Sequence, residues 1–432
     1  MPYVVIPYLV PIAFLLLSLF FFWLLHLTQE RLERKWFKVR ISPHTHRMGS
    51  VLWRSLAGGF FFSLFVSLLG LQVRMEEMWI IYLLALLSGL VRLSFLDLRV
   101  GMFLFTLFAY LEQNGFLRVE KGSSPWLSNL LNHAHIPSYL FFIGGLTLLE
   151  GFLLLTERFS TIQPIHILGS RGKAIGGYLL QRIWPIPLFF FVPFPGGGGM
   201  LPSFLSWWPI LPVSWSHGGA VPLFVPVLIG ARHFFIKTHP LTGLRRISLV
   251  RMGRGICESI FAVVSLYRPL WALPLLLLFY VLLFLFQRFR EKRERQSPPY
   301  FSNSYEGLSV LAVLPKSPAQ EMGIEVGDRV TKANGIPVRD ESSFYKALQR
   351  NSAFCKLEVL NREGNITFPQ RSLYLGEHYL LGLIFAPGEK WHEKIPSPPR
   401  SLFGLLLGGR FSSKQKPGTA EEDSKGNEVL QG

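Results

Sequence analysis

The chain has 432 residues, half of them hydrophobic and only 16% charged, with a formal net charge of +17. That length suits two or three domains. The apolar runs before Gln287 are too many and too long for a water-soluble core, so this part is expected to use lipid as its solvent. The basic excess does not point to nucleic acid: it gathers at the ends of apolar runs, at 31–40, 232–254 and 288–295, as on cytoplasmic loops, and no nucleic-acid-reading module accompanies it. The two cysteines, Cys257 and Cys355, lie far apart in different surroundings, so neither a disulfide framework nor a cysteine metal site is expected.

In chain order, the first apolar run covers residues 4–25 and is followed by a Lys- and Arg-rich stretch at 29–40. It lacks a basic segment in front, so it reads as a spanning helix rather than a cleaved leader. Its N-terminus is expected outside and residues 31–40 in the cytoplasm. Further clear spans are 51–71, 78–93, 137–155 and 270–286. Less certain ones are 100–111, 175–192, 201–213 and 221–229, several too short to cross alone and several containing proline. The total is about six to eight helices. Residues 193–199, PFPGGGG, with Trp207, Trp208 and Trp215 beyond them, read as an external loop with aromatic anchors; a substrate channel is the alternative. The basic stretches at 232–254 and 288–295 both look cytoplasmic. Residues 256–267 must therefore tuck against other helices or make a short crossing that breaks near Pro269.

Glu150 stands inside the apolar run IGGLTLLEGFLLL. A carboxylate in hydrocarbon is costly and should face protein. It marks either an ion path or a contact with a neighbouring helix, with Gly144, Gly145 and Gly151 permitting close approach.

After residue 287 the composition turns soluble. Residues 288–304 form a basic, proline-containing linker. A strand is expected at 308–314. Ser317-Pro318 then caps a short helix that ends at Gly323. Gly327-Asp328 turns the chain into a strand at 329–333, Asn334-Gly335 forms a type I′ turn, and 336–338 returns. A helix at 341–350 carries Phe344, Ala347 and Leu348 on one face, and 357–360 pairs with 366–368. The segment SPAQEMGIEVGDRVTKANGIPV resembles the core of bacterial PDZ domains, and the likeness extends over about 305–386.

That resemblance implies a module that binds an extended peptide by strand addition to a sheet edge. The hydrophobic–Gly–hydrophobic form of Leu381-Gly382-Leu383, within YLLGLIF, would supply the loop that receives a peptide carboxylate. Phe344, Ala347 and Leu348 would form the opposite wall. The plainer possibility is that YLLGLIF is only the closing core strand. The polar tail, 387–432, is expected to be disordered, with a short apolar patch at 402–407.

The fold expected is therefore a polytopic α-helical membrane domain (1–287), the linker (288–304), a small α+β PDZ domain (305–386) and a flexible tail (387–432). Searches for catalytic patterns fail. His392-Glu393 lacks a second His, because Pro396 stands in its place. His44/His46 and His133/His135 have no adjacent Glu, and Ser88-Gly89 has Leu86 where a rhomboid-type motif wants Gly. No catalytic residue, cofactor or metal is expected.

A multi-span membrane part followed by a PDZ domain resembles the layout of the MinJ family of Gram-positive division determinants. In the membrane half, Leu149-Glu150-Gly151 is the only motif that adds to the likeness. The resemblance implies a cell-membrane scaffold with a cytoplasmic PDZ domain, enriched at septa and poles. It would link a DivIVA-type marker of curved membrane to the MinD ATPase. A PDZ adaptor of a membrane protease or secretion complex, and a transporter with an appended PDZ domain, remain the alternatives.

Overall fold

The computed structural model describes residues 2–37, 41, 44–71, 73–92, 95–117, 125–157, 162–168, 174–193, 220–296, 298–301, 307–351, 353–374 and 381–388. The expected span at 201–213, the Gly-rich loop with its tryptophans, His392-Glu393 and nearly all of the tail lie outside the described residues.

The first part of the chain is helical, as expected. It contains α1 (Pro2–Phe37), α2 (His44–Leu69), α3 (Met75–Val91), α4 (Leu98–Gln113), α5 (Pro125–Asn132), α6 (Ile136–Leu155), α7 (Pro240–Tyr267) and α8 (Pro269–Gln296). Among the described residues four stretches are long and apolar enough to cross a bilayer: Ile12–Phe37, Met48–Leu69, Ile136–Leu155 and Pro269–Phe289. The helices α3 and α4, at 17 and 16 residues, are not among the four.

Helices α6 and α7 touch along a seam of small residues. A Cβ added at Gly255 would lie 2.7 Å from the Leu148 nitrogen and 2.8 Å from the Gly144 carbonyl oxygen; one added at Gly151 would lie 3.1 Å from the Ser248 carbonyl. Packing here is backbone against backbone, the usual means of helix association where lipid offers no hydrophobic drive. Gly255→Val should therefore destabilise the membrane domain by roughly 1–3 kcal/mol through overpacking. Gly253→Val, on the same helix with nothing within 4 Å, should not. Melting of the two variants in detergent checks this.

Between α6 and α7 the structure corrects the sequence reading. The runs expected as uncertain spans at 175–192 and 221–229 are strands: β2 (Ala174–Pro193) and β3 (Ala220–Phe235), joined by β1 (Gln163–Leu168) into an antiparallel sheet of order β1-β2-β3. Proline explains the outcome. Pro185, Pro187, Pro193, Pro222 and Pro226 would each break a helix interior. In the ladder, β2 and β3 pair from Tyr178↔Phe235 to Pro193↔Ala220, and all five prolines fall on one alternate set of pairs, including Pro187↔Pro226 and Phe191↔Pro222. Alternate pairs of an antiparallel ladder point their N–H groups away from the partner strand, which is where a residue without an N–H is tolerated.

Other members of that set use their outward groups on the surrounding helices. The Phe189 N–H donates to Ser63 Oγ on α2 (2.9 Å) and the Gly230 N–H to Asp97 Oδ2 at the head of α4 (3.3 Å). The Gln181 carbonyl accepts from Gln29 Nε2 on α1 (2.7 Å), and the Pro226 carbonyl from the Tyr82 hydroxyl on α3 (3.1 Å). Helices thus cover the middle of the hairpin, where Leu180, Trp184, Ile186, Val227 and Ile229 are buried, while Phe189 and Phe234 are exposed. Non-helical backbone at membrane depth is stable only when covered in this way.

Helices α7 and α8 form a hairpin broken at Arg268. It is closed at the far end, where the Tyr300 N–H, just after α8, donates to the Ile236 carbonyl, just before α7 (2.9 Å). The run 256–267 is the second half of α7.

The second module holds β4 (Leu308–Val313), α9 (Pro318–Glu321), β5 (Arg329–Ala333), β6 (Ile336–Pro337), α10 (Glu341–Gln349), β7 (Phe354–Leu360), β8 (Ile366–Thr367), β9 (Gln370–Ser372) and β10 (Leu383–Phe385). The sheet order is β10-β4-β5-β7-β8, with β6 on β5 and β9 on β7.

The turn chemistry acts where the sequence places it. Ser317 caps α9, its hydroxyl accepting from the Gln320 N–H. Gly323, Gly327, Asn334 and Gly335 all take positive φ. Asp340 caps α10 through the Ser343 N–H (2.7 Å), and that backbone bond, with the hydroxyls of Ser342 and Ser343, holds its carboxyl below the ordinary range. Cys355 is a core residue whose thiol burial pushes up to about 12, so it stays protonated and unreactive.

Candidate peptide-binding site and buried charge chain

Among the described strands β10 pairs only with β4, so it stands at the end of the sheet with a second edge that pairs with no described strand. The loop before it is pinned from behind. The Leu381 carbonyl accepts from the Ala319 N–H (3.0 Å), and the Gly382 carbonyl from the Leu314 N–H (2.8 Å). Gly382 has φ +84°, and a Cβ there would stand 2.2 Å from Ser317 Cβ. Only glycine fits both the angle and the space.

Across from β10 lies α10, with the Phe344 and Phe385 rings 4.9 Å apart, edge to face. Leu381, Leu383, Phe344, Ala347 and Leu348 share one hydrophobic cluster. The structure thus gathers the sequence-selected residues around one edge. It places Phe344, Ala347 and Leu348 below the surface, however, as the floor between β10 and α10 rather than an open wall. Leu383 and Phe385 are core residues on a strand that is also the sheet edge, so the two sequence readings of YLLGLIF describe one element. Residues 379–380 of that motif are outside the described set.

Glu150 is fully buried and sits in a chain of alternating charge. It accepts from Arg99 Nη1 (2.6 Å) and lies 3.5 Å from Arg251 Nε. Arg99 in turn holds Asp97, through Nε at 2.9 Å to Oδ1 and through Nη2 to Oδ2, and reaches Thr147 Oγ1 at 3.3 Å. Asp97 also caps α4 and accepts the Gly230 N–H of β3. One chain therefore ties α4, α6, α7 and the sheet. Sequence reasoning found Glu150 but not its partners; the signal overlooked was Asp97-Leu98-Arg99, an acid–base pair at the mouth of an apolar helix. A second buried carboxylate, Glu258, is held by Arg254 (2.7 Å) and the Tyr280 hydroxyl (2.8 Å). No group of His, Cys, Asp and Glu suited to a metal ion occurs among the described residues.

The PDZ module rests on the membrane domain. The Tyr178 hydroxyl donates to the Leu311 carbonyl of β4, and the Gly176 N–H to the Phe301 carbonyl (3.2 Å). The Tyr178 and Phe301 rings lie 5.3 Å apart. Leu311, Phe301, Val326 and Ala386 belong to the hydrophobic cluster of the membrane domain, not to that of the PDZ core. No sequence motif signals this contact.

Fold and site together define a membrane protein that carries a PDZ domain, and the PDZ family model matches residues 309–362. The chain is 35% identical over 265 residues to the cell division topological determinant MinJ of Bacillus subtilis, covering 60% of this chain and 64% of that protein, a little under two thirds of its length. It is 24% identical over 360 residues to a probable cell division topological determinant MinJ of Lacticaseibacillus paracasei, covering 83% of this chain and 90% of that one. These relatives and the PDZ match support the MinJ family, as the sequence resemblance implied. No solved structure matches the chain.

Proposed function

We propose that the protein is a non-catalytic, multi-pass scaffold of the cell membrane that recruits cytoplasmic partners to division sites, linking a DivIVA-type marker to MinD. The observation that carries this reading is a PDZ domain seated on a helical membrane body in a chain whose relatives are named as division topological determinants. Tethering partners to one membrane patch raises their effective concentration without chemistry. A cytoplasmic PDZ domain is supported by its position. The basic end of α1, with Arg34 and Lys35, lies by Leu32 and Trp36 against Ile165 and Leu179 of the small sheet, whose neighbouring residues Gly176 and Tyr178 carry the PDZ module.

A fluorescent fusion imaged in growing cells tests the reading. Bands at septa that vanish when the DivIVA-type protein is removed are the expected result. An even membrane stain indifferent to that removal would sink it.

A transporter reading gains one observation, the buried carboxylate Asp97 two residues from Arg99, which also holds Glu150. Both carboxylates are held by guanidinium groups, as in a structural tie. Deletion of residues 308–385 separates the two: a scaffold loses recruitment, and a transporter keeps its flux.

A further inference from the structure

Strand β10 is short, three residues, and its register with β4 shifts between Ile384 and Phe385. Such a strand is weakly held by its own ladder. Its side chains alternate between two bodies. Leu383 and Phe385 enter the PDZ core, whereas Ile384 and Ala386 pack into the cluster of the membrane domain. Strand β4 alternates the same way, with Leu308 and Val310 in the PDZ core and Leu311 on the membrane-domain side.

The seat for that outer face is made by β2. A Cβ added at Gly176 would come within 3.0 Å of Leu311 Cδ1, 3.0 Å of Phe301 Cβ and 3.5 Å of Ala386 Cβ. Tyr178, fixed in the middle of the β1-β2-β3 sheet by pairing with Phe235, holds the β4 backbone from beneath through its hydroxyl.

We propose that Gly176 and Tyr178 are positioning residues for peptide binding: the membrane-domain sheet clamps the outer face of β4 and β10, and so keeps the receiving edge in strand geometry before a ligand arrives. The inference rests on the reading that the free edge of β10 takes a strand. The entropy of ordering β10 is then met by intramolecular packing and not by the ligand, which is preorganisation. The PDZ domain works at full affinity only while seated. An arrangement of the membrane domain that withdraws β2 from it weakens recruitment without touching the groove.

The test uses the full chain in nanodiscs, as wild type, Gly176→Val and Tyr178→Phe. One arm follows hydrogen–deuterium exchange. In both variants the amides of β10 should exchange about tenfold faster or more, while those of β5 and β7 stay as protected as in wild type, a split that general unfolding does not give. The other arm measures the affinity of a C-terminal heptapeptide selected from a random display library on the wild-type protein; its Kd should rise about tenfold, the expected size of a lost ordering contribution of this kind. Unchanged β10 protection in variants whose residue 176 amide exchanges faster would overturn the inference, as would tighter peptide binding. Failure to select any peptide would count against the groove, and the exchange arm would still decide whether the clamp exists. Should Gly176→Val not fold, Tyr178→Phe, which removes a single hydroxyl, carries both arms.

Discussion

Glu150→Ala should destabilise the membrane domain by roughly 3–5 kcal/mol, the usual cost of stranding the partners of a buried ion pair. The side chain is fully buried, accepts from Arg99 at 2.6 Å and faces Arg251 at 3.5 Å. Its loss would leave Arg251 without that carboxylate and Arg99 with Asp97 alone. Because Asp97 also caps α4 and receives the Gly230 N–H, the disturbance should spread to the sheet as well as the α6–α7 seam.

A double replacement distinguishes the expense of an unpaired charge from a need for the pair itself. Glu150→Leu with Arg251→Met removes one carboxylate and one guanidinium together, and should recover much of the loss, since apolar substitutes of similar volume are often neutral in buried pairs. Size-exclusion profiles of heated, detergent-purified protein give the measurement. A Glu150→Ala protein that melts with wild type would show that the chain of charges contributes nothing to folding.

The second large effect is expected at Gly382. For Gly382→Ala the left-handed angle alone costs about 1–2 kcal/mol. The new Cβ also meets Ser317 Cβ at 2.2 Å, a contact that must be relieved by moving backbone. Ser317 cannot yield freely. Its hydroxyl donates to the Leu314 carbonyl (2.7 Å) and accepts from the Gln320 N–H, a helix cap whose loss costs about 1 kcal/mol. The expected sum is about 2–3 kcal/mol of PDZ stability, with the receiving loop displaced even in molecules that fold. Gly364→Ala is the control: it has φ +86° and open space around it, so only the angle is penalised. Hydrogen exchange across the PDZ strands of the full chain reads both. Equal losses in the two variants would mean that the Ser317 contact plays no part.

The PDZ half was legible because its signals are local. Ser317-Pro318, Gly323, Gly327-Asp328 and Asn334-Gly335 each fix one turn by their own backbone preferences, so strand and helix positions near them follow within a residue or two, whereas β7, farther from such a turn, begins three residues before the expected 357. Among the described strands β9 went unforeseen, a three-residue strand set off only by Pro369 before it. The membrane sheet was illegible for the opposite reason. A strand covered on all sides reads as an unbroken apolar run, which periodicity cannot tell from a buried helix. The evidence lay in the spacing of Pro185 and Pro187, and of Pro222 and Pro226, by even numbers, which keeps each pair on one set of ladder positions. The partners of Glu150 and the seat of the PDZ domain were hidden because both are made by residues distant in sequence, which a single chain read in order does not bring together.

The enclosed hairpin also constrains how the protein is made. A helix can enter a bilayer alone, since its backbone bonds are internal, whereas β2 and β3 expose outward N–H and carbonyl groups until Gln29, Ser63, Tyr82 and Asp97 are there to meet them. Those four residues all precede the hairpin in the chain, on α1, α2, α3 and at the head of α4. The partners that the outward groups of the hairpin need are therefore already synthesised when β2 and β3 leave the ribosome.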